Sequence, residues 1–272
     1  LRALQPTLPA TLALVASGQV LLHGPLQTPA EIQAEAVVPD LQVLLPEFPL
    51  RAREPVRLTF SDGRLEFGDL HLAGEGTDLA VTGGVDVLRE GPLALSARGR
   101  ADLRALSLVT RRLRGMGAAR LAVDVSGTRT APRVLGTLDL EGAGLRVRGF
   151  PHGVEGMRGR LRFTERAAEL EGVSGTLAGG RLTIEGQAAY PDGKLSSYDI
   201  RPTGRGLGLR YPEGLRSLLD AELRLFGDAG KQWITGTIDV RQALYSKRYD
   251  VASELLGARR VLPLPEAASL EE

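Results

Sequence analysis

The chain has no cysteine. Thiol catalysis, a disulfide framework and Cys-ligated metal are thereby excluded, and a periplasmic setting suits the chain as well as a cytosolic one. It has only three histidines, His23, His71 and His152, at separations that match neither HExxH nor any short metal-ligand spacing. Each reads as an ordinary solvated histidine in a turn or at a strand end. Aromatic residues reach only 4%. No stretch of 18 uninterrupted apolar residues occurs, so nothing in the sequence reads as a membrane-spanning helix. Charge of one sign is missing too: 34 basic against 33 acidic residues leave a net charge of +1, without the basic excess that nucleic acid asks for.

Catalytic signatures are likewise absent. There is no GxSxG, no GxGxxG opening a helix and no Walker loop; the run GRGLG (204–208) lacks the following helix and lysine of a phosphate cradle. Asp86 with Glu90, and Asp139 with Glu141, are carboxylate pairs, but no surrounding apolar run would raise either pKa for acid catalysis. They read as solvated strand positions, and the chain reads as a non-enzyme with no cofactor.

What is present is alternation. The 43% of apolar residues is carried by Leu, Val and Ala, and 34 glycines far exceed the roughly 7% of an average chain. RLRF (160–163), RLTIE (181–185) and TLDLE (137–141) place an apolar residue at every second position, which turns one side of a strand to a dry interior and the other to water. Arginine greatly outnumbers lysine, and Arg146, Arg148, Arg160, Arg162 and Arg181 fall on the polar side, a solvated face. Ser61-Asp62-Gly63 is a hairpin signal. Segments of four or five residues are bounded by Gly or Pro throughout, Pro39-Asp40 among them, and connections this short imply antiparallel pairing.

The pattern repeats. LTFSDGRLEF from Leu58 superposes on LRFTERAAEL from Leu161, an offset of 103 that also brings Leu79 to Leu182, Val81 to Ile184 and Gly83 to Gly186. An offset of 100 brings SGTRTAPRVLGTLDL (126–140) onto FGDAGKQWITGTIDV (226–240). The chain therefore reads as about two and a half copies of one unit, residues 1–102, 103–210 and 211–259, taken from a longer array, with a loose tail over 260–272. Two segments break the strand pattern. Asp102 to Arg114 spaces Leu103, Leu106 and Leu113 as an amphipathic helix with Asp102 as N-cap and Gly115 as stop, and Pro212 to Leu219 is a weaker counterpart. Residues 1–9 read as a linker or partial helix, Val251 to Gly257 as a further helix or strand, and Trp233 as a core or rim anchor. The fold class is all-β: an elongated, curled antiparallel sheet with one or two short helices.

The stretches SGTRTAPRVLGTLDLEGAGL, GVEGMRGRLRF and LEGVSGTLAGGRLTIEGQ, with YPEGLRSLLDAELRLFG and ITGTIDVRQALYSKRYD further on, resemble the periplasmic region of the TamB family of AsmA-like envelope proteins. The likeness covers nearly the whole chain through degenerate motifs of Gly and alternating aliphatics. It implies a taco-like β-groove with an apolar lining, in a periplasmic protein anchored in the inner membrane of a diderm bacterium. It also implies phospholipid cargo, and a barrel partner of TamA or BamA type engaged through a region outside this stretch. The groove lining expected on this basis is Leu58, Phe60, Leu79, Val81, Leu138, Leu140, Leu161, Phe163, Leu182, Ile184, Ile238 and Val240. The alternative is a structural or chaperone-like scaffold with a closed interior that binds protein clients through an exposed strand edge.

Overall fold

Leu, Val and Ile alternating with Arg, Asp and Thr favour strands that pair side by side and hide one face. The computed structural model describes residues 13–25, 27–28, 31–45, 48–88, 91–108, 112–191, 193–228 and 230–246. Within them the chain forms one antiparallel sheet of sixteen strands, as its patterning implies, and a six-residue 3-10 helix. The first group is β1 (Ala13–His23), β2 (Gln33–Leu44), β3 (Pro49–Ala52), β4 (Val56–Ser61), β5 (Arg64–Gly74), β6 (Thr77–Asp86) and β7 (Leu93–Asp102). The 3-10 helix (Leu103–Leu108) and β8 (Leu113–Met116) follow. A second group holds β9 (Ala118–Gly127), β10 (Pro132–Val147), β11 (Gly153–Phe163), β12 (Ala167–Leu177), β13 (Gly180–Ala189) and β14 (Ser197–Leu209); β15 (Leu215–Gly227) and β16 (Gln232–Tyr245) come last. Spatial order nearly follows chain order, except that β4 lies between β2 and β5 beside β3, and β8 pairs with β10.

The ladders recur at the spacings of the sequence repeat. Leu58 faces Phe67 as Leu161 faces Leu170, and Leu72 faces Leu79 as Gly175 faces Leu182. Ala119 faces Leu140 as Leu219 faces Val240, and Gly127 faces Pro132 as Gly227 faces Gln232. The hairpins β9–β10 and β15–β16 are thus equivalent.

Several local expectations give way. Asp102 to Arg114 is not one α-helix: among its described residues only Leu103–Leu108 is helical, as a 3-10 helix, and Leu113–Met116 is a strand. The cause is β10, whose sixteen residues overhang β9 and recruit this segment, Leu113 opposite Val147 and Met116 opposite Gly144. The helical part that is described covers six residues, too few for an α-helix of three turns. Leu103 and Leu106 still turn onto the core. Pro212 to Leu219 is likewise no helix; a cis Tyr211–Pro212 turn leads into β15, whose Leu219 and Ser217 are held opposite Leu207 and Leu209 of β14. Most strands run ten to sixteen residues rather than four or five. Glycines read as turn signals lie inside the ladder: at Gly136 (φ 134°) an added Cβ would come 2.0 Å from the Ala122 carbonyl oxygen of the neighbouring strand. Pro39 does not end β2 either. It sits where β2 changes partner from β4 to β3 and where its register with β1 shifts, a place that tolerates a missing N–H. Trp233 is 59% exposed on β16, opposite Phe226, and takes no part in the core. The expectations for residues 1–9, 251–257 and 260–272 lie outside the described residues.

A line of β-bulges crosses the second group, with register shifts in β10, β11, β12 and β14. Each contains a left-handed glycine: Gly142, Gly156, Gly172 and Gly206, with φ between 58° and 76°. Bulges of this kind bend a strand and sharpen its twist. The residue after each glycine is buried, Ala143 at 1%, Met157 at 7%, Val173 at 3% and Leu207 at 4% exposure. In the second group the core is therefore the inside of a crease, joined by Leu103 and Ala119 at one end and by Leu219 and Ala221 at the other, while Val38, Phe48, Leu50 and Val56 are buried in the first group.

The sheet is rolled. Neighbouring strands stand about 4.8 Å apart, so β11 and β14 would lie roughly 14 Å apart if it were flat. Yet the backbone N–H of Arg210, just after β14, donates to Nε2 of His152, just before β11, at 2.8 Å. Phe150 and Tyr211 meet edge to face with ring centroids 5.7 Å apart. At the opposite strand ends Gly193 lies against Pro132. The first group has a counterpart, with the Arg104 guanidinium 4.7 Å over the ring of Phe48, across from β7 to β3.

Candidate functional site: a continuous apolar face

Residues directly opposite in a ladder share a face of the sheet, so the registers show which side chains stand together. One row runs Ala52, Leu72, Leu79, Gly99, Leu121, Leu138, Leu161, Leu170, Gly186, Ile200, Leu225, Ile234, one residue from each of twelve strands. No polar side chain interrupts it. A parallel row contains Leu70, Val81, Ala97, Val123, Gly136, Phe163 and Ala168. Leu140 lies two residues from Leu138, and Ile184 and Leu182 lie two and four residues from Gly186. Leu182 connects through Gly204 and Ala221 to Ile238, and Leu219 faces Val240. Leu58 faces Phe67, which faces Gly83 beside Val81, and Phe60 follows Leu58. All twelve expected lining residues thus fall on one face.

They are not equally open. Leu138, Leu140, Leu161 and Ile184 pack against the buried cluster of the crease, and Leu182, at 6% exposure, is itself buried. Leu58, Phe60, Leu79, Val81 and Phe163 are half-buried outside both buried clusters. Ile238 and Val240 on β16 are exposed at 54% and 56%. Among the described residues no second sheet covers the face and no large side chain is fully buried. Leu182 therefore reports on folding, and the half-buried set is what a ligand could touch.

The outer face is a lattice of ion pairs. Arg160 Nε meets Asp139 at 2.6 Å, Arg120 meets Glu141 at 2.9 Å and Arg98 meets Asp124 at 3.1 Å. Arg162 lies between Glu169 and Glu171, and Arg224 and Arg201 share Asp199. The hydrogen bonds that Arg160 donates to Asp139 and Arg224 donates to Asp199 raise the pKa values of these two arginines. Exposed pairs each contribute about 0–1 kcal/mol; their larger effect is to cancel charge across a face rich in arginine. Asp139 and Glu141 are members of this lattice, and Glu90 lies outside the described residues. Two carboxylates are buried among the described residues, Asp102 and Asp220; Asp102 is paired with Arg104, and Asp220 accepts the Gly206 N–H at 2.7 Å and is bound by Arg241 of β16, which together hold it below the ordinary carboxylate range. Tyr190, its pKa raised by burial, aims its hydroxyl at the carbonyls of Thr164 and Ala167, 3.0 and 3.1 Å away, and ties down a turn.

Two features escape sequence reasoning. The first is the crease, although its signal is there: charged residue, glycine, apolar residue recurs as Glu141-Gly142-Ala143, Glu155-Gly156-Met157, Glu171-Gly172-Val173 and Arg205-Gly206-Leu207. The GRGLG run is thus part of a bulge. The second is His152, whose acceptor role depends on a residue 58 positions away. His71 lies within β5 rather than at its end. Among the described residues no group of three or more His, Asp or Glu is placed to hold a metal, and no helix is long and apolar enough to cross a membrane. Comparison with protein families, with curated proteins and with solved structures returns no match.

Proposed function

We propose that this chain is a non-enzymatic segment of a lipid-transfer conduit, in which phospholipid acyl chains travel along the apolar face between inner and outer membranes. The observation that carries the reading is the unbroken apolar row over twelve strands, roughly 50 Å along the ladder direction. Each methylene removed from water stabilises a bound chain by about 0.8 kcal/mol, and a row of similar aliphatic side chains offers no single deep minimum to stop sliding. The resemblance to TamB-type proteins supports the same reading. On it the protein works in the periplasm as part of an inner-membrane-anchored chain, meets a TamA- or BamA-type barrel and assists outer-membrane protein assembly. The test is native mass spectrometry of detergent-free protein, with organic extraction of what co-purifies and titration with labelled phospholipid. Bound phospholipid is expected; lipid-free protein that ignores added phospholipid overturns the proposal.

A further inference from the structure

The internal repeat makes β10 a template for β16. With an offset of 100, Ala119 opposite Leu140 becomes Leu219 opposite Val240, Leu121 opposite Leu138 becomes Ala221 opposite Ile238, and Val123 opposite Gly136 becomes Leu223 opposite Gly236. Gly136 and Gly236 even share their backbone conformation, with φ of 134° and 142°. β10 uses both edges, one for β9 and one for β11, whereas β16 pairs only with β15 among the described residues.

What β10 receives at its second edge is specific. Gly159 of β11 faces Leu140, Arg160 faces Asp139, Leu161 faces Leu138 and Phe163 faces Gly136. The matching positions on β16 are Val240, Asp239, Ile238 and Gly236. Asp139 is bound by Arg160 at 2.6 Å. Asp239 instead stands opposite Asp220, which Arg241 and the Gly206 N–H already hold, and Asp239 has no ion-pair partner among the described residues. The uncovered acid and the exposed Ile238 and Val240 therefore form the complement of one kind of strand.

We propose that the outer edge of β16 is a docking site for an antiparallel strand of a partner polypeptide that presents, in order, a glycine, an arginine, an aliphatic residue, a spacer and an aromatic residue. The glycine leaves room beside Val240, the arginine neutralises Asp239, the aliphatic residue covers Ile238 and the aromatic ring lies over Gly236. Main-chain hydrogen bonds supply affinity and this alternation supplies register. The chain's own continuation matches in part: at the same spacing it has Arg260 and Val261 where β11 has Arg160 and Leu161, but Arg259 where β11 has Gly159 and Pro263 where β11 has Phe163, and proline is disfavoured within a ladder. The assignment does not depend on the lipid reading.

The experiment titrates a fluorescent peptide with the β11 sequence, Gly153 to Phe163, into the full chain and reads anisotropy. Saturable binding is expected, weakened at least tenfold by Asp239→Arg and restored when the Asp239→Arg chain meets a peptide in which the Arg160 position is Asp. The rescue shows that the variant is folded. Three outcomes overturn the proposal: no saturable binding, equal binding of a scrambled peptide, or insensitivity to Asp239→Arg. A photo-crosslinker at Thr237 that captures residues 247–272 of the same chain in place of the peptide overturns it as well.

Discussion

The backbone N–H of Arg210 donates to Nε2 of His152 at 2.8 Å, joining two connections that flank a run of four strands. Beside it the edge-to-face pair of Phe150 and Tyr211 closes the same gap. A hydrogen bond of this kind contributes about 0.5–1.5 kcal/mol net, and an aromatic pair about 0.5–1.5 kcal/mol. His152→Ala and Tyr211→Ala should each destabilise the second group by about 1 kcal/mol in urea unfolding. The double variant should cost less than the sum, since the two contacts share one closure. Strict additivity would show that they hold no common latch.

Charge on the apolar face should separate ligand binding from folding. Phe163→Asp and Val81→Asp sit at half-buried positions outside the crease, whereas Thr183 points to the opposite face. The first two should reduce labelled-phospholipid binding at least tenfold, with Thr183→Asp close to wild type. Leu182→Asp should instead lower the unfolding midpoint, because Leu182 is buried. Equal loss of binding from Thr183→Asp would remove the apolar face from the mechanism.

The bulge glycines should respond to backbone preference alone. An added Cβ at Gly172 meets nothing within 4 Å, and its φ is 58°. Gly172→Val should cost about 1–2 kcal/mol, the left-handed penalty for an L-residue, and Gly172→Asn clearly less. At Gly136, where a Cβ would lie 2.0 Å from the Ala122 carbonyl oxygen, even Gly136→Ala should disrupt pairing of β9 with β10. Thermal unfolding by circular dichroism ranks the three.

Acid should loosen the β14–β16 end. Asp199 is held below the ordinary carboxylate range by Arg224, Asp220 by the Gly206 N–H and then Arg241, and Asp228 by the N–H groups of Lys231 and Gly230. Each binds a proton less readily folded than unfolded. The stability they contribute is complete above the unfolded value of about 3.9 and drains away as pH falls through the lower folded values. Unfolding midpoints should therefore be flat from neutrality to about pH 5 and fall below pH 4, with a shallower fall in Asp220→Asn. An unchanged acid limb in that variant would show that Asp220 is not linked to folding.

Strand identity was legible in RLRF and RLTIE because a period of two has only one structural meaning. Strand length was not, because a glycine such as Gly136 looks the same in a turn and in a crowded ladder, and only the neighbouring Ala122 carbonyl tells them apart. Leu103, Leu106 and Leu113 do share an inward preference, but the overhang of β10 converts the second half of that segment to strand. That the twelve expected residues share one face was legible in the alternation. Which of them remain open was hidden, because burial depends on the crease.

By itself the sequence determined that this protein is an antiparallel sheet with one apolar side and a unit that recurs at about 100 residues. Alternation and repetition are written in nearest-neighbour order, and short connections leave no other pairing. Only the tertiary structure decided how that sheet is shaped: left-handed glycines line up from strand to strand, the ladder bends along them, and turns far apart in the chain close on one another. Those effects arise from residues brought into register by pairing, so no single segment contains them.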